Sequence, residues 1–199
     1  MKAIIGILVT LILLLMPVEL ALVKGVPLYH AANASKIVDN PIPQITFQRT
    51  DSKFLVREKS IECMALNIYH EARNLSTAGR LAVAQVTLNR VKSSKFPSSI
   101  CDVVYQGQHW TATDGSRYPK RDRCHFSWYC DGKNDLPNNK NKYNESLTLA
   151  AQVVDGHWPD DITDGAMYYY ADYIAAPRWT KGKIRSAVID VHRFYRYRK

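Results

Sequence analysis

Glu71 stands in the run Ile61-Glu62-Cys63-Met64-Ala65-Leu66-Asn67-Ile68-Tyr69-His70-Glu71-Ala72-Arg73 and is the side chain best placed to do chemistry. Apolar residues there fall at 61, 64, 65, 68, 69 and 72, which is helical spacing. At about 100° per residue the glutamate lands at the edge of that stripe, near the helix end. A carboxyl in that place is partly desolvated and close to the negative end of the helix dipole. Both effects disfavour its charged form and raise its pKa. A general acid working near neutral pH needs that property. The alternative is a boundary glutamate paired with Arg73 or another base.

Spacing sets aside several other chemistries. His70-Glu71 invites a zinc-protease reading, but the second His is missing one turn on, where Asn74 stands. There is no Gly-x-Ser-x-Gly elbow and no Gly-rich phosphate loop. A Cys/His nucleophile pair built on Cys63 or Cys101 is a minor option. A glycosidic bond is the better target, because its cleavage needs a proton on the leaving oxygen. Glycosidases ordinarily use two carboxylates, but one suffices in principle when a substrate hydroxyl attacks. No second acid shares the helix face of Glu71. Asp102, Asp131 and Asp135 are loop candidates, each also readable as a turn or surface residue.

The elements that would position Glu71 follow from the same pattern. Its helix ends around Arg73 to Leu75. Ser76 or Thr77 caps a second helix over about Ala78 to Lys92, apolar on most sides and therefore central. Ala78, Ala82, Gln85 and Asn89 share one face of it. The two amides can bind a ligand or can be a satisfied pair that fixes packing. A short helix is expected over Ile100 to Tyr105 and a longer one over Tyr143 to Val154. Residues 106–145 show little periodicity; so long an irregular stretch is usually functional or cross-linked. Gly165 to Tyr170 and Ile189 to Tyr195 read as strands. They are expected to pair as an antiparallel ribbon, with Pro177 and Trp179 in the connection. The class is α+β.

Residues 1–23 read as a signal peptide or an N-terminal membrane anchor, and 24–58, punctuated by Pro27, Pro41 and Pro43, as a linker. The folded domain is expected over 59–199. Lys2 precedes an apolar run from Ala3 to Met16, broken by Pro17 and Glu19 and resumed to Val23. Glu19 spoils the obvious small-x-small cleavage site, so an uncleaved anchor over residues 3–23 stays open. Either form exports the chain, to the periplasm or to its membrane face. Export weighs against nucleic acid as the partner. Much of the net charge of +9 lies in Lys181, Lys183, Arg185, Arg193, Arg196, Arg198 and Lys199, a basic tail suited to an anionic partner. Twelve Tyr and four Trp suit a groove that stacks on sugar rings. Cys63, Cys101, Cys124 and Cys130 fit an oxidising compartment and allow three pairings. Zinc is the poorer reading, since no C-x-x-C pair exists and Cys124-His125 with Cys130 has poor ligand spacing. No metal and no cofactor are expected.

Four motifs in order carry a resemblance: ECMALNIYHEAR, GRLAVAQVTLNRV, FPSSICDVVYQ and CHFSWYCDG. Together they resemble the spore-cortex-lytic (SleB-like) cell wall hydrolase family, most of all its Gram-negative and phage members. The likeness continues more weakly through GAMYYYA, Pro177-x-Trp179 and DVHRFYR, and covers about residues 60–199. It implies a lysozyme-like domain acting on the bond between N-acetylmuramic acid and N-acetylglucosamine of peptidoglycan. It implies lytic transglycosylase or muramidase-type cleavage, with Glu71 of the N-x-x-x-E-A-R pattern as the acid. It makes Gln85, Asn89, Ser127, Trp128, Tyr168 and Tyr169 candidates for substrate binding. Tyr105 and Phe126 are cleft or core. Asn74-Leu75 departs from the Gly-Glu that many relatives carry after Glu-Ala-Arg, which alters the loop beside the acid.

Overall fold

The computed structural model describes residues 51–198. The expected signal peptide or anchor and residues 24–50 of the expected linker lie outside the described residues. Helix α1 runs Ser52–Ala72, and its N-cap Asp51 accepts from the Lys53 amide at 3.2 Å. It therefore begins well before Ile61, and residues 52–58 at the end of the expected linker are helical. Phe54, Leu55 and Val56 in its first turns are exposed. With no core to face, those turns leave no apolar periodicity to read.

Helix α2 runs Thr77–Val91, capped by Ser76, whose hydroxyl accepts from the Gly79 amide at 3.1 Å. Helix α3 is Ile100–Val104 and α4 is Lys140–Val154. Ile61, Met64, Ala65 and Ile68 of α1 pack against Leu81 and Ala84 of α2 and Leu149, Ala150 and Val153 of α4. Each large side chain buried there contributes roughly 1.5–3 kcal/mol. A second cluster joins Cys63, Val103, Val104, Phe126 and Trp128. Cys63 and Cys101 form a disulfide beside it that ties α1 to α3.

Two antiparallel sheets complete the α+β fold. Strands β1 (Gly107–Thr111) and β2 (Arg117–Cys124) form a hairpin inside the segment that sequence pattern leaves irregular. Most of its residues are exposed and a bulge lies between Gly107 and His109, so no clean alternation marks it. The C-terminal sheet has strands β3 (Tyr168–Ala171), β4 (Ile184–Ile189) and β5 (His192–Arg196) in the order β3-β5-β4. The expected pairing of the 165–170 and 189–195 segments is present, with Tyr169 opposite Phe194. The expected ribbon lacked β4, which supplies a third strand. Lys183 to Arg196 of the basic tail thus belong largely to a sheet and its turns.

The sheet is docked on α2. Ala82 and Val86 pack on Ala166 and Phe194. At the β4–β5 turn, Asp190 accepts from the Ser76 amide at 3.0 Å and from its hydroxyl at 2.8 Å. Gly79 makes this approach possible, because a Cβ there would meet the Asp190 carboxylate at 2.2 Å. Among the described residues, no helix is long and apolar enough to cross a membrane.

Candidate active site

The last turn of α1 presents Glu71 to β3, where the Tyr169 hydroxyl donates to its Oε2 at 2.9 Å. Burial pushes the Glu71 carboxyl up from the ordinary glutamate value. The Tyr169 hydrogen bond and the positive charge of Arg90 pull the other way, and burial wins. Burial and the neighbouring Glu71 push the Tyr169 hydroxyl well above its own usual value, so it stays a donor. Glu71 is therefore a carboxyl that favours holding its proton.

The glutamate opens into a cleft of about 770 Å³. It is lined by Tyr69, His70, Trp128 and the loop from Asp131 to Asn138, and by Tyr169, Tyr170, Tyr173, Trp179 and His192 from the C-terminal part of the chain. Hydrogen bonds tie the first of these groups together. Trp128 Nε1 donates to Asn67 Oδ1 at 3.0 Å, and Asn67 Nδ2 donates to Thr87 Oγ1 at 3.2 Å. His70 stacks on Trp128 with ring centres 4.5 Å apart, and its Nε2 lies 2.9 Å from the Asp135 carbonyl. The Tyr69 hydroxyl donates to Asn138 Oδ1 at 2.7 Å and accepts from the Asn139 amide at 3.1 Å. The Cys124–Cys130 disulfide closes the loop that carries Phe126, Ser127 and Trp128. Both disulfides use neighbours in sequence order, and among the described residues no cysteine is free.

The structure separates the candidate residues into two groups. Glu71, Ser127, Trp128 and Tyr169 line one cleft. Gln85, Asn89 and Tyr168 do not, and their groups have other partners. Gln85 donates to the Asp160 carbonyl at 2.6 Å and accepts from the Ile162 amide at 3.0 Å. Asn89 donates to Asp161 Oδ2 at 2.9 Å and the Ala166 carbonyl at 3.0 Å. Both amides therefore have the internal hydrogen bonds that the packing reading calls for. The Tyr168 hydroxyl bonds that of Tyr197, and its ring packs on Trp179 and Phe96. Phe126 is buried in the core and also reaches the cleft; Tyr105 packs against that core. Asp131 and Asp135 line the cleft, and Asp102 is bonded to Ser99 at the start of α3.

The sequence motifs contain Asn67 and His192 without giving either a role, and Arg90 is not singled out by them. Arg90 is 5% exposed and lines the cleft. A signal existed: Ala82, Val86 and Arg90 follow one another at i, i+4 and i+8, so the apolar stripe of α2 predicts a buried residue at 90. Asn67 sits one turn before Glu71 and is fully buried. His192 stacks edge-on to Tyr169 at 4.9 Å, a contact only the sheet register creates.

The Cell Wall Hydrolase family model (Hydrolase_2) matches residues 74–195, beginning just after Glu71. The spore cortex-lytic enzyme of Bacillus cereus is 28% identical over 137 residues, which cover 69% of this chain and 44% of that protein. That of Bacillus subtilis strain 168 is 28% identical over 135 residues, 67% of this chain and 36% of the relative. The chain thus spans less than half the length of these relatives. The crystal structure of the catalytic domain of the Bacillus cereus SleB protein superposes with a TM-score of 0.50 at 26% identity. That likeness covers 70% of this chain and 91% of the domain, and its lysozyme-like α+β fold is the one expected from the sequence. By the extent of the family match, this chain belongs to the Cell Wall Hydrolase family.

Proposed function

We propose that the protein cleaves the glycosidic bond between N-acetylmuramic acid and N-acetylglucosamine in peptidoglycan strands, as a lytic transglycosylase. The observation that carries this reading is the Glu71 carboxyl, burial-raised and held by Tyr169 at the floor of an aromatic cleft. Glu71 donates its proton to the glycosidic oxygen as the bond to muramic C1 breaks, and the N-acetylglucosamine hydroxyl leaves. The positive charge developing at C1 and the ring oxygen is oxocarbenium-like. The Glu71 carboxylate then takes the proton of the muramic C6 hydroxyl, whose oxygen closes on C1. The product carries a 1,6-anhydro ring, and Glu71 ends protonated as it began. Trp128 and Tyr169 offer rings for sugar stacking, with Ser127 beside Trp128 as a polar contact in the same cleft. The substrate places the work outside the cytoplasm, in keeping with export through residues 1–23. An anchored form, facing the periplasm, would use residues 3–23 at the inner membrane. A phage lysis protein fits the same chemistry.

Hydrolysis by water is the second reading, favoured by Asp131 and Asp135 in the same cleft, where a second carboxylate could activate water. Mass spectrometry of fragments released from purified sacculi separates the two. Anhydro-muramic ends are expected; reducing muramic ends would establish hydrolysis. Binding of sacculi without any soluble fragment would sink both in favour of a wall-binding protein.

A further inference from the structure

Arg90 sits in the last turn of α2 with a guanidinium that is buried and only partly partnered. Its Nε donates to the Met167 carbonyl at 2.8 Å, while Nη1 is buried with no hydrogen-bond partner. Around the guanidinium carbon lie the rings of Phe126, Phe96 and Tyr168, with centres at 4.7, 5.4 and 5.9 Å. Aromatic faces favour a cation but do not replace a carboxylate partner, and burying an unpaired charge is unfavourable. An apolar side chain would continue the Ala82 and Val86 stripe at no such cost. Yet the fold keeps an arginine here, beside Glu71 on the same cleft.

We infer that Arg90 is a positioning residue that acts through Glu71: a fixed positive charge, set back from the carboxyl, that steadies the carboxylate left after proton transfer. This rests on Glu71 being the acid and base of the proposed reaction. The set-back is the point of the arrangement. A direct two-pronged pair with arginine would hold Glu71 ionised and end its use as an acid. With no cation, the buried carboxylate would keep only the Tyr169 hydrogen bond and would yield its proton poorly. Arg90 makes no direct ion pair with Glu71 among the described residues, but its charge is felt there and opposes the effect of burial.

The other groups facing this pair are few. Tyr169 from β3 reaches Glu71, and Tyr168, Tyr169, Tyr197 and His125 surround Arg90. His192 of β5 packs on Tyr169. Burial pushes both His125 and His192 below the ordinary histidine value, and Arg90 adds to the effect at His125. Both are thus biased towards the neutral form, and Arg90 is the fixed cation of the cluster.

The test is a pH profile of fragment release from sacculi by wild type, Arg90→Met and Arg90→Lys, with folding followed by circular dichroism. The methionine variant is expected to fold, to slow release, and to move the basic limb up by about one pH unit, because loss of the cation favours protonated Glu71. The lysine variant is expected to restore the wild-type limb. A methionine variant whose limbs do not move overturns the inference. If it does not fold, Arg90→Gln, which keeps a donor for the Met167 carbonyl, takes its place with the same expected shift. If neither neutral variant folds, Arg90 is structural and the inference fails. Glu71→Gln separates the two layers: if it retains activity, the reading of Glu71 itself fails; if it is inactive while the Arg90 variants show unshifted limbs, only the inference falls.

Discussion

Asp161 and Glu71 are two carboxylates bordered by α2, and the protein treats them in opposite ways. Asp161 accepts from Asn89, from the Thr163 amide and hydroxyl at 2.9 and 2.6 Å, and from the Gly165 amide at 2.8 Å. Burial pushes its carboxyl up, but these donors outweigh burial and set it below the ordinary range. Glu71 has one donor, Tyr169, and burial prevails. Saturation with hydrogen bonds marks a carboxylate that organises a loop. A single donor in a cleft leaves burial dominant, as the acid role proposed for Glu71 requires. Gln85 and Asn89 belong with Asp161: their hydrogen bonds fix the 160–166 segment, which in turn leads into β3 and Tyr169.

The sharpest way to break this contrast is to exchange the chemistry of one side at a time. Glu71→Gln keeps shape and can accept from Tyr169 but cannot give up a proton. Release of fragments from sacculi should fall by about a thousandfold, with the circular dichroism spectrum unchanged. Asn89→Ala should do the reverse. It leaves Asp161 and the Ala166 carbonyl short of a donor, which costs about 2 kcal/mol of unfolding free energy. Activity per folded molecule should stay near that of wild type, and chemical denaturation beside a sacculus assay checks both numbers. Loss of turnover without loss of stability in this variant would return Asn89 to the substrate site.

A smaller effect is expected from pH. Glu71 binds its proton more tightly folded than unfolded, so its contribution is present below the unfolded pKa and is lost as pH rises through the folded one. Glu71→Gln should therefore melt increasingly above wild type as pH climbs from about 4 towards neutral. The gain is about 1.4 kcal/mol for each pH unit that separates the folded pKa from the unfolded one. Asp161 has the opposite sign, with stability present above its unfolded pKa and lost as pH falls through the folded value. The advantage of wild type over Asp161→Asn should therefore shrink in acid. Melting temperatures across this range read both slopes, and parallel slopes would erase the distinction.

Much of this is legible in the sequence because it depends on local rules. The helix that carries Glu71, the Ser76 cap and the partnership of the 165–170 and 189–195 segments follow from periodicity and turn chemistry. The β1–β2 hairpin does not show, because exposed strands such as Arg117 to Cys124 have no buried face to impose alternation. The role of Gln85 and Asn89 turns on what faces α2, and the partner loop at 160–166 lies about seventy residues away in sequence, beyond any local pattern. Glu71 emerges from one helix, but its donor comes from β3 and its counter-charge from α2. Trp128 stands out by its motif, while the Asn67 amide that aims it is hidden within an apolar helical run.

The most direct measurement of the central claim is carbon-13 NMR titration of the side-chain carboxyls in protein labelled at Asp and Glu, with Glu71→Gln and Asp161→Asn used to assign the two signals. Glu71 is expected to titrate above the ordinary glutamate value of about 4.3 and Asp161 below the ordinary aspartate value of about 3.9. A Glu71 signal that titrates at or below about 4.3 would contradict that claim.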